Sequence, residues 1–314
     1  MGGRGFDAGA DRHMAQQVIT VFGGGGFIGR YVVQALLRSG AQVRVAERAP
    51  KNAWLLKAQA NLGQIAFVPA DITRPETLGP AVTGADAVIN LVGRFDEMDA
   101  VHVAGARNVA EAAAKAGVAR LVHLSAIGAD AQSPCDYART KGEGEAAVRA
   151  AFPMATILRP SVVFGREDQF INRFANLIRM LPITPILGAS ATLQPVFVGD
   201  VAKAVLAALS CPSETFELGG PEVFSMAALN QWIADRTGRA PLFIELPDAL
   251  CGLIAALPGT PISRDQWKML QSPNIVAEGV KGLADLGIQP TPLDLVAEGW
   301  LVEYRRHGRF GAAA

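Results

Sequence analysis

Residues 20–29 read TVFGGGGFIG, an apolar run that enters four consecutive glycines and leaves them as an apolar helix pattern. Val18 to Phe22 has the length and composition of a short buried strand. Phe27, Ile28, Val32, Val33, Leu36 and Leu37 recur at helical spacing behind the turn. Gly23, Gly26 and Gly29 give the spacing GxxGxxG, and each answers a different need. Gly23 permits a tight turn, Gly26 lets the backbone approach a pyrophosphate, and Gly29 lets the helix lie close on the strand. The helix start at Phe27 and Ile28 offers free N–H groups and the positive end of a dipole to phosphates. A glycine-rich hairpin does not explain the helix behind it, so the unit predicts dinucleotide binding.

The same alternation continues through the first half. Strand-like runs fall at Val18–Phe22, Gln42–Ala46, Ile65–Val68, Ala87–Leu91, Leu121–Leu124 and Ala155–Leu158. Amphipathic stretches separate them, the clearest being a helix over Val101–Ala116 closed by Gly117. Such spacing predicts right-handed βαβ units in a doubly wound α/β parallel sheet of the Rossmann type, with ligand outside the carboxyl ends of the strands. After Pro160 the rhythm breaks at prolines 182, 185, 195, 212 and 221. The expected organisation is a tail over 1–17, a dinucleotide-binding domain over 18–165 and a smaller C-terminal domain over 166–306. A last tail covers 307–314, and Thr215–Leu218 returns to the first domain's sheet. The two parts are expected to share one core and to form a cleft.

Composition narrows the classes. Half of the 314 residues are hydrophobic, and Lys+Arg balances Asp+Glu at 29 each, which argues against a general nucleic-acid surface. Cys135, Cys211 and Cys251 fit neither a metal-ligand spacing nor a disulfide framework, and the four histidines are scattered, so no metal site is expected. A reducing cytoplasm fits. No apolar stretch is long enough to span a bilayer, and that around Leu250–Leu257 is flanked by Pro247 and Pro258. The first 17 residues lack a signal-peptide core, and Met14 is a candidate natural start.

Two constellations bear on chemistry. Tyr137 and Lys141 form YxxxK on an expected helix, and i, i+4 spacing puts them on one face. A neighbouring ammonium favours the phenolate, which would fit Tyr137 for proton transfer to or from a carbonyl or alcohol. At the end of the second strand the sequence reads AERAPK. Glu47 suits a ribose 2′-hydroxyl and hence NAD(H). Arg48 and Lys51 suit a 2′-phosphate and hence NADP(H). Asp200 reads as a helix N-cap and His123 as a packed strand histidine. Arg166, Glu167 and Asp168 read as substrate contacts, a solvated loop or an intersubunit contact. Leu246–Leu257 reads as core or interface, with a membrane-surface contact the minority reading.

With these residues in place, the chain resembles the short-chain dehydrogenase/reductase superfamily in its extended and atypical branches. The resemblance implies that Tyr137 is the acid–base residue and that Lys141 grips the nicotinamide ribose. It places Asp71, with Ile72 beside it, at the adenine, and Leu91, Val92 and Gly93 of the run NLVG along the cofactor groove. Pro160, Val162 and Val163 of RPSVV then flank the nicotinamide. Three later runs, AFPMATILRPSVVFGREDQF (151–170), QPVFVGDVAKAV (194–205) and LGIQPTPL (286–293), are similar to the nucleotide-binding accessory subunit of respiratory complex I and its bacterial relatives. That likeness runs from about Val18 to Arg306. It implies a tightly held reduced dinucleotide, NADP(H) in preference to NAD(H), complex I subunits as partners, and a peripheral place on the cytoplasmic face of the inner membrane. The alternative is a free-standing oxidoreductase or epimerase/dehydratase acting on a small carbonyl, sugar-nucleotide or lipid substrate. Two departures bear on activity. Ala126 fills the superfamily's usual catalytic Ser/Thr position, leaving Ser125 as the nearest hydroxyl. His102 stands where an asparagine is common.

Overall fold

Val18–Phe22 (β1) and Ala87–Asn90 (β4) are almost wholly buried, as strands covered on both faces must be. Phe27–Arg38 (α1) follows the glycine turn. Then come Gln42–Glu47 (β2), Ile65–Pro69 (β3), β4, Ala106–Lys115 (α2), Arg120–Leu124 (β5), Asp136–Ala151 (α3) and Thr156–Pro160 (β6). The second half carries Val163–Phe164 (β7), Ile171–Met180 (α4), Ile183–Ile186 (β8), Thr192–Leu193 (β9), Val196–Phe197 (β10), Val198–Ala208 (α5), Thr215–Leu218 (β11) and Phe224–Ser225 (β12). Met226–Arg236 (α6), Leu242–Glu245 (β13), Asp248–Ala256 (α7), Arg264–Leu270 (α8) and Leu293–Leu301 (α9) complete it. This computed structural model describes residues 17–256, 264–306 and 308. The tails expected at either end, Met14 and the 257–258 end of the apolar stretch therefore lie outside the described residues, apart from positions 17 and 308.

The central sheet has seven parallel strands in the order β11-β6-β5-β4-β1-β2-β3. The expected strands are all present, with ends displaced by one or two residues. Chain direction across the sheet reverses between β1 and β4, the switch point where such sheets hold ligands. Register brings the pieces together there, because Phe22 lies opposite both Ala46 and Asn90. The glycine turn, Glu47 and the run from Asn90 to Gly93 thus leave the sheet side by side.

One face of the sheet is covered by α1 and α5, whose Val33, Leu36, Val201, Ala204 and Val205 join a single buried cluster. The other face takes α2 and α3 through Val109, Ala113 and Val148, with Phe152 just past the end of α3. A third cluster builds the remainder of the second half around Phe164, Ile171, Leu229, Ile233, Leu293 and Trp300. The second half therefore shares the first core through α5 and Leu283, but also has a core of its own. The strands β8 and β13 pair in parallel and turn Ile183, Leu242 and Ile244 outward as an exposed apolar face.

The expected helix over Val101–Ala116 differs at its start. Asp99–Gly105 is wound as a π-helix, and α-geometry begins at Ala106. The segment is closely packed. A Cβ on Gly105 would lie 2.7 Å from Ile72 Cδ1, and one on Gly144 of α3 would lie 2.1 Å from the His102 carbonyl oxygen. At Gly144 two backbones meet where a side chain would not fit.

Candidate nucleotide-binding site

The glycine turn is built by its own backbone. Gly23 takes φ +79°, and its carbonyl accepts the Gly26 N–H at 3.1 Å. A Cβ on Gly29 would stand 2.1 Å from that carbonyl oxygen, so only glycine fits there. Glu47 braces the turn from β2, its Oε1 accepting the Gly25 N–H at 2.6 Å. The N-terminus of α1 has no side-chain cap and no acid in its first turn. The first N–H groups of any α-helix, here those of Phe27 and Ile28, have no partner within the helix. That uncapped end fits a pyrophosphate.

Beyond it, Asp71 closes a local turn, with Oδ1 accepting Thr73 N–H at 3.0 Å and Thr73 O–H at 2.7 Å. Burial works to raise its pKa, but the Thr73 hydrogen bonds, with Arg48 and Arg74, hold the carboxyl below the usual range. Asn90 Oδ1 accepts Val92 N–H at 3.2 Å and sets the course of the Leu91–Gly93 run, while its amide meets His123 Nδ1 at 3.3 Å. His123 is thus the packed strand histidine expected. Burial, then Lys141, depresses it to about 3.

At the nicotinamide end implied by the resemblance, α3 presents Tyr137 and Lys141. Lys141 is buried, its Nζ donates to Leu124 O at 3.3 Å, and burial lowers its pKa to about 8 against an opposing Glu145. A Cβ on Gly93 would lie 3.2 Å from that Nζ, so glycine lets the chain pass the lysine. Ser125 Oγ is buried without a hydrogen-bond partner. That free hydroxyl, one residue past the Leu124 carbonyl that Lys141 reaches, suits a ligand's polar group. The uncapped helix start and this free hydroxyl are compatible with a nicotinamide dinucleotide.

Tyr137 departs from the expected electrostatics. Its phenol is pushed up to about 12, first by burial and then by Cys135, instead of being lowered by the ammonium. Lys141 Nζ stands 5.9 Å from the ring centroid, while Phe95 stacks on the ring at 4.8 Å and His102 meets it edge-on at 5.6 Å. Desolvation outweighs a cation held at that distance. Nor does His102 reach toward the lysine as a relay. Its Nε2 accepts Arg94 N–H at 3.1 Å, which places the proton on Nδ1, 3.0 Å from Thr140 Oγ1. Thr140 in turn donates to Asp136 O at 2.8 Å. Burial first, and Lys141 second, hold the imidazole at about 3, so it is neutral.

The RPSVV run is held from outside. Asn274 Oδ1 accepts Ser161 O–H at 2.6 Å and Val162 N–H at 3.1 Å, and Val163 pairs with Val196. Arg159 forks onto Glu145 at 2.8 and 2.7 Å and reaches Glu217 at 3.5 Å, anchoring the strand end before Pro160.

The charged residues of GREDQF hold the protein together. Asp168 accepts Gly165, Phe170 and Ile171 N–H groups at 3.1, 2.8 and 2.6 Å. Burial still raises its pKa despite those donors. Glu167 accepts the Tyr31 hydroxyl of α1 at 2.7 Å, and Arg166 pairs with Glu303 at 3.3 Å. Asp200 is not the N-cap of α5; Phe197 is. Fully buried in the helix's first turn, Asp200 accepts Thr291 N–H at 2.7 Å and Lys203 at 2.9 Å, and so ties LGIQPTPL to α5. Sequence reasoning missed Phe95, Thr140 and Asn274. It also passed over Gly142 and Gly144, whose presence inside a helix signals a close backbone approach.

Fold and site together define a Rossmann-type nicotinamide-dinucleotide-binding protein. The family model described as NAD dependent epimerase/dehydratase family matches residues 19–219, and the chain belongs to that family. It is 38% identical over 296 residues to NADH dehydrogenase (ubiquinone) 1 alpha subcomplex subunit 9, mitochondrial, of Mus musculus, covering 88% of this chain and 78% of that one. It is 29% identical over 320 residues to the ceramide reductase of Caulobacter vibrioides, covering 91% and 97%. Among solved structures, a Citrobacter triphenylmethane reductase superposes with a TM-score of 0.74 at 19% identity over 90% of this chain and 99% of that one. That likeness speaks to the fold. Among the described residues no helix is long and apolar enough to cross a membrane.

Proposed function

We propose that this protein is a dinucleotide-holding accessory or assembly component of a respiratory NADH:quinone oxidoreductase, peripheral on the cytoplasmic face of the membrane. The observation that carries the reading is the likeness to the mouse subunit along 88% of the chain, which extends well beyond the dinucleotide fold. The site supports it. Ala126 offers no hydroxyl, the Ser125 hydroxyl is buried beside it, and Tyr137 holds its proton more tightly than a free phenol. The apolar face of Ile183, Leu242 and Ile244 offers a surface for a protein partner. Affinity purification from native membranes in mild detergent tests it. Co-purification of complex subunits is expected, and recovery of the protein alone overturns the reading.

NADP(H) is the cofactor we assign. Glu47 is engaged with the glycine turn, whereas Arg48 and Lys51 are exposed at the adenosine end and suit a 2′-phosphate. Calorimetry should rank NADPH above NADH, and Arg48→Ala should remove most of that ranking. A wild-type preference for NADH would return the choice to Glu47. The bound nicotinamide supplies a hydride. In this chain Gly23, Gly26 and Gly29 would admit the pyrophosphate, Lys141 would hold the ribose, and Val162 and Val163 would flank the nicotinamide.

The retained Tyr137–Lys141 pair favours a second reading, an oxidoreductase or epimerase in which Tyr137 passes the proton and Ser125 supplies the remaining hydroxyl. Under that reading Tyr137→Phe lowers turnover by about 10²–10⁴-fold while nucleotide affinity stays. Under the accessory reading the same variant leaves assembly and respiration unchanged.

A further inference from the structure

The chain leaving β4 folds across Tyr137 as a short strap. It passes Lys141 at Gly93 and is then pinned by Arg94 N–H on the neutral His102. The Arg94 guanidinium closes on Asp96, with Nε donating to Oδ1 at 2.7 Å, and Glu97 turns the backbone through a left-handed φ of +50°. That conformation is uncommon for glutamate and marks a specified turn. The result is that Phe95 lies on the Tyr137 ring at 4.8 Å and 21°, although 56% of its own surface faces solvent. His102 walls the edge of the phenol. On a further side α8 sits over the start of α3, with Lys268 Nζ donating to Pro134 O at 3.0 Å and Cys135 Sγ meeting Asp265 O at 3.7 Å.

We propose that Phe95 is a substrate-excluding residue, a ring held over Tyr137 that keeps small carbonyl compounds from the phenol's hydroxyl. Here the strap's bonds aim it at a single target. Phe95 acts through Tyr137, so it is a positioning residue. The inference rests on the dinucleotide-binding reading only for its second test.

The first test needs no cofactor. N-acetylimidazole acetylates accessible phenols, and peptide mass spectrometry reads each of the three tyrosines separately. In Phe95→Ala, Tyr137 should be modified about tenfold faster than in the wild type, with Tyr31 and Tyr304 unchanged as internal references. Phe95→Tyr should behave as the wild type. Equal Tyr137 rates in the wild type and Phe95→Ala overturn the proposal.

The second test loads the full chain with NADPH and adds p-nitrobenzaldehyde. Hydride from the reduced nicotinamide goes to the carbonyl carbon and the Tyr137 proton to its oxygen. The products are the alcohol and NADP⁺, and solvent returns the tyrosine proton. Oxidation should be at least about tenfold faster in Phe95→Ala and should return to the wild-type rate in Phe95→Ala/Tyr137→Phe. No gain, or a gain that survives loss of the hydroxyl, overturns the proposal. Failure of NADPH to bind, seen by calorimetry, would strike the cofactor reading and leave the acetylation result standing.

Discussion

The two halves of this molecule use conspicuous sequence in opposite ways. In the first half the start of α1 and the residue just past β5 are left with unfilled bonding capacity. The N-terminus of α1 is uncapped, and Ser125 Oγ has no partner. In the second half the most specific motifs are filled from within. Asp168 holds three N–H groups within 3.1 Å, Asp200 holds Thr291, and Asn274 holds Ser161 and Val162. A distinctive motif can mark a joint as readily as a binding site. What separates the two is whether its polar atoms are already bonded.

The comparison is broken most severely at Gly29. A methyl there would meet Gly23 O at 2.1 Å and Gly24 Cα at 2.7 Å, both backbone atoms that cannot swing aside. Gly29→Ala should therefore cost on the order of 3 kcal/mol or more in urea unfolding and abolish nucleotide binding. At Gly26 the methyl meets only Gly23 O, at 3.2 Å. Gly26→Ala should stay folded yet lose about 100-fold in affinity, because its methyl faces the pyrophosphate. Similar behaviour of the two variants would show that the turn has no separate structural and binding glycines.

Next in size is the response to acid. His102 and His123 are both held at about 3 when folded, against about 6.5 in an unfolded chain. Between those values the unfolded chain binds protons that the folded protein refuses. The histidines' contribution is complete above pH 6.5 and falls as pH drops through the window, by about 1.4 kcal/mol per unit for each. Urea midpoints at pH 7, 6, 5 and 4 measure it. His123→Leu should make the acid limb clearly shallower than in the wild type. An unchanged slope would mean that His123 does not carry the loss.

How much of this was legible follows from how local each feature is. The strand–turn–helix unit shows in the sequence because neighbours make it: Phe22, the glycines and Phe27 lie within six positions. The strap was not legible, since nothing between Gly93 and Met98 announces that Arg94 will meet His102 or Phe95 will meet Tyr137. Asn274 lies more than a hundred residues from Ser161, and only the folded second half joins them. The raised Tyr137 phenol was missed for a related reason. The i, i+4 spacing shows that the lysine is near, but desolvation depends on what covers the ring. Gly142 and Gly144 were available as a signal, because two glycines in one helix are unfavourable unless another backbone needs the room.

Lys141 sharpens the contrast within the first half. Its folded pKa of about 8 lies below the ordinary 10.5, so burial of the ammonium opposes folding in full below pH 8, and stability recovers as pH rises from 8 to 10.5. Lys141→Met removes that burden. The nucleotide-free variant should be more stable at neutral pH by about 1–3 kcal/mol, with the difference closing above pH 10.5, while nucleotide affinity falls. Thermal unfolding of free and nucleotide-loaded protein reads both effects. A destabilised variant would move Lys141 into the class of joints.

The smallest effects belong to the joints themselves. Asp168→Ala strips the N–H groups at the start of α4 of their acceptor and should cost about 1–2 kcal/mol, as for other lost helix caps, with nucleotide affinity unmoved. Tyr31→Phe is the finer probe, because Tyr31 sits on the glycine helix while its hydroxyl bonds Glu167 in the second half. Its pKa is raised first by burial and then by that carboxylate, as expected of a phenol that keeps its proton to donate. Losing the bond should cost about 0.5–1.5 kcal/mol in urea unfolding. Affinity should change less than about twofold, since Glu47 braces the glycine turn independently. A tenfold loss of NADPH affinity in Tyr31→Phe, measured by calorimetry, would place the GREDQF loop inside the nucleotide site and end the distinction between the two halves.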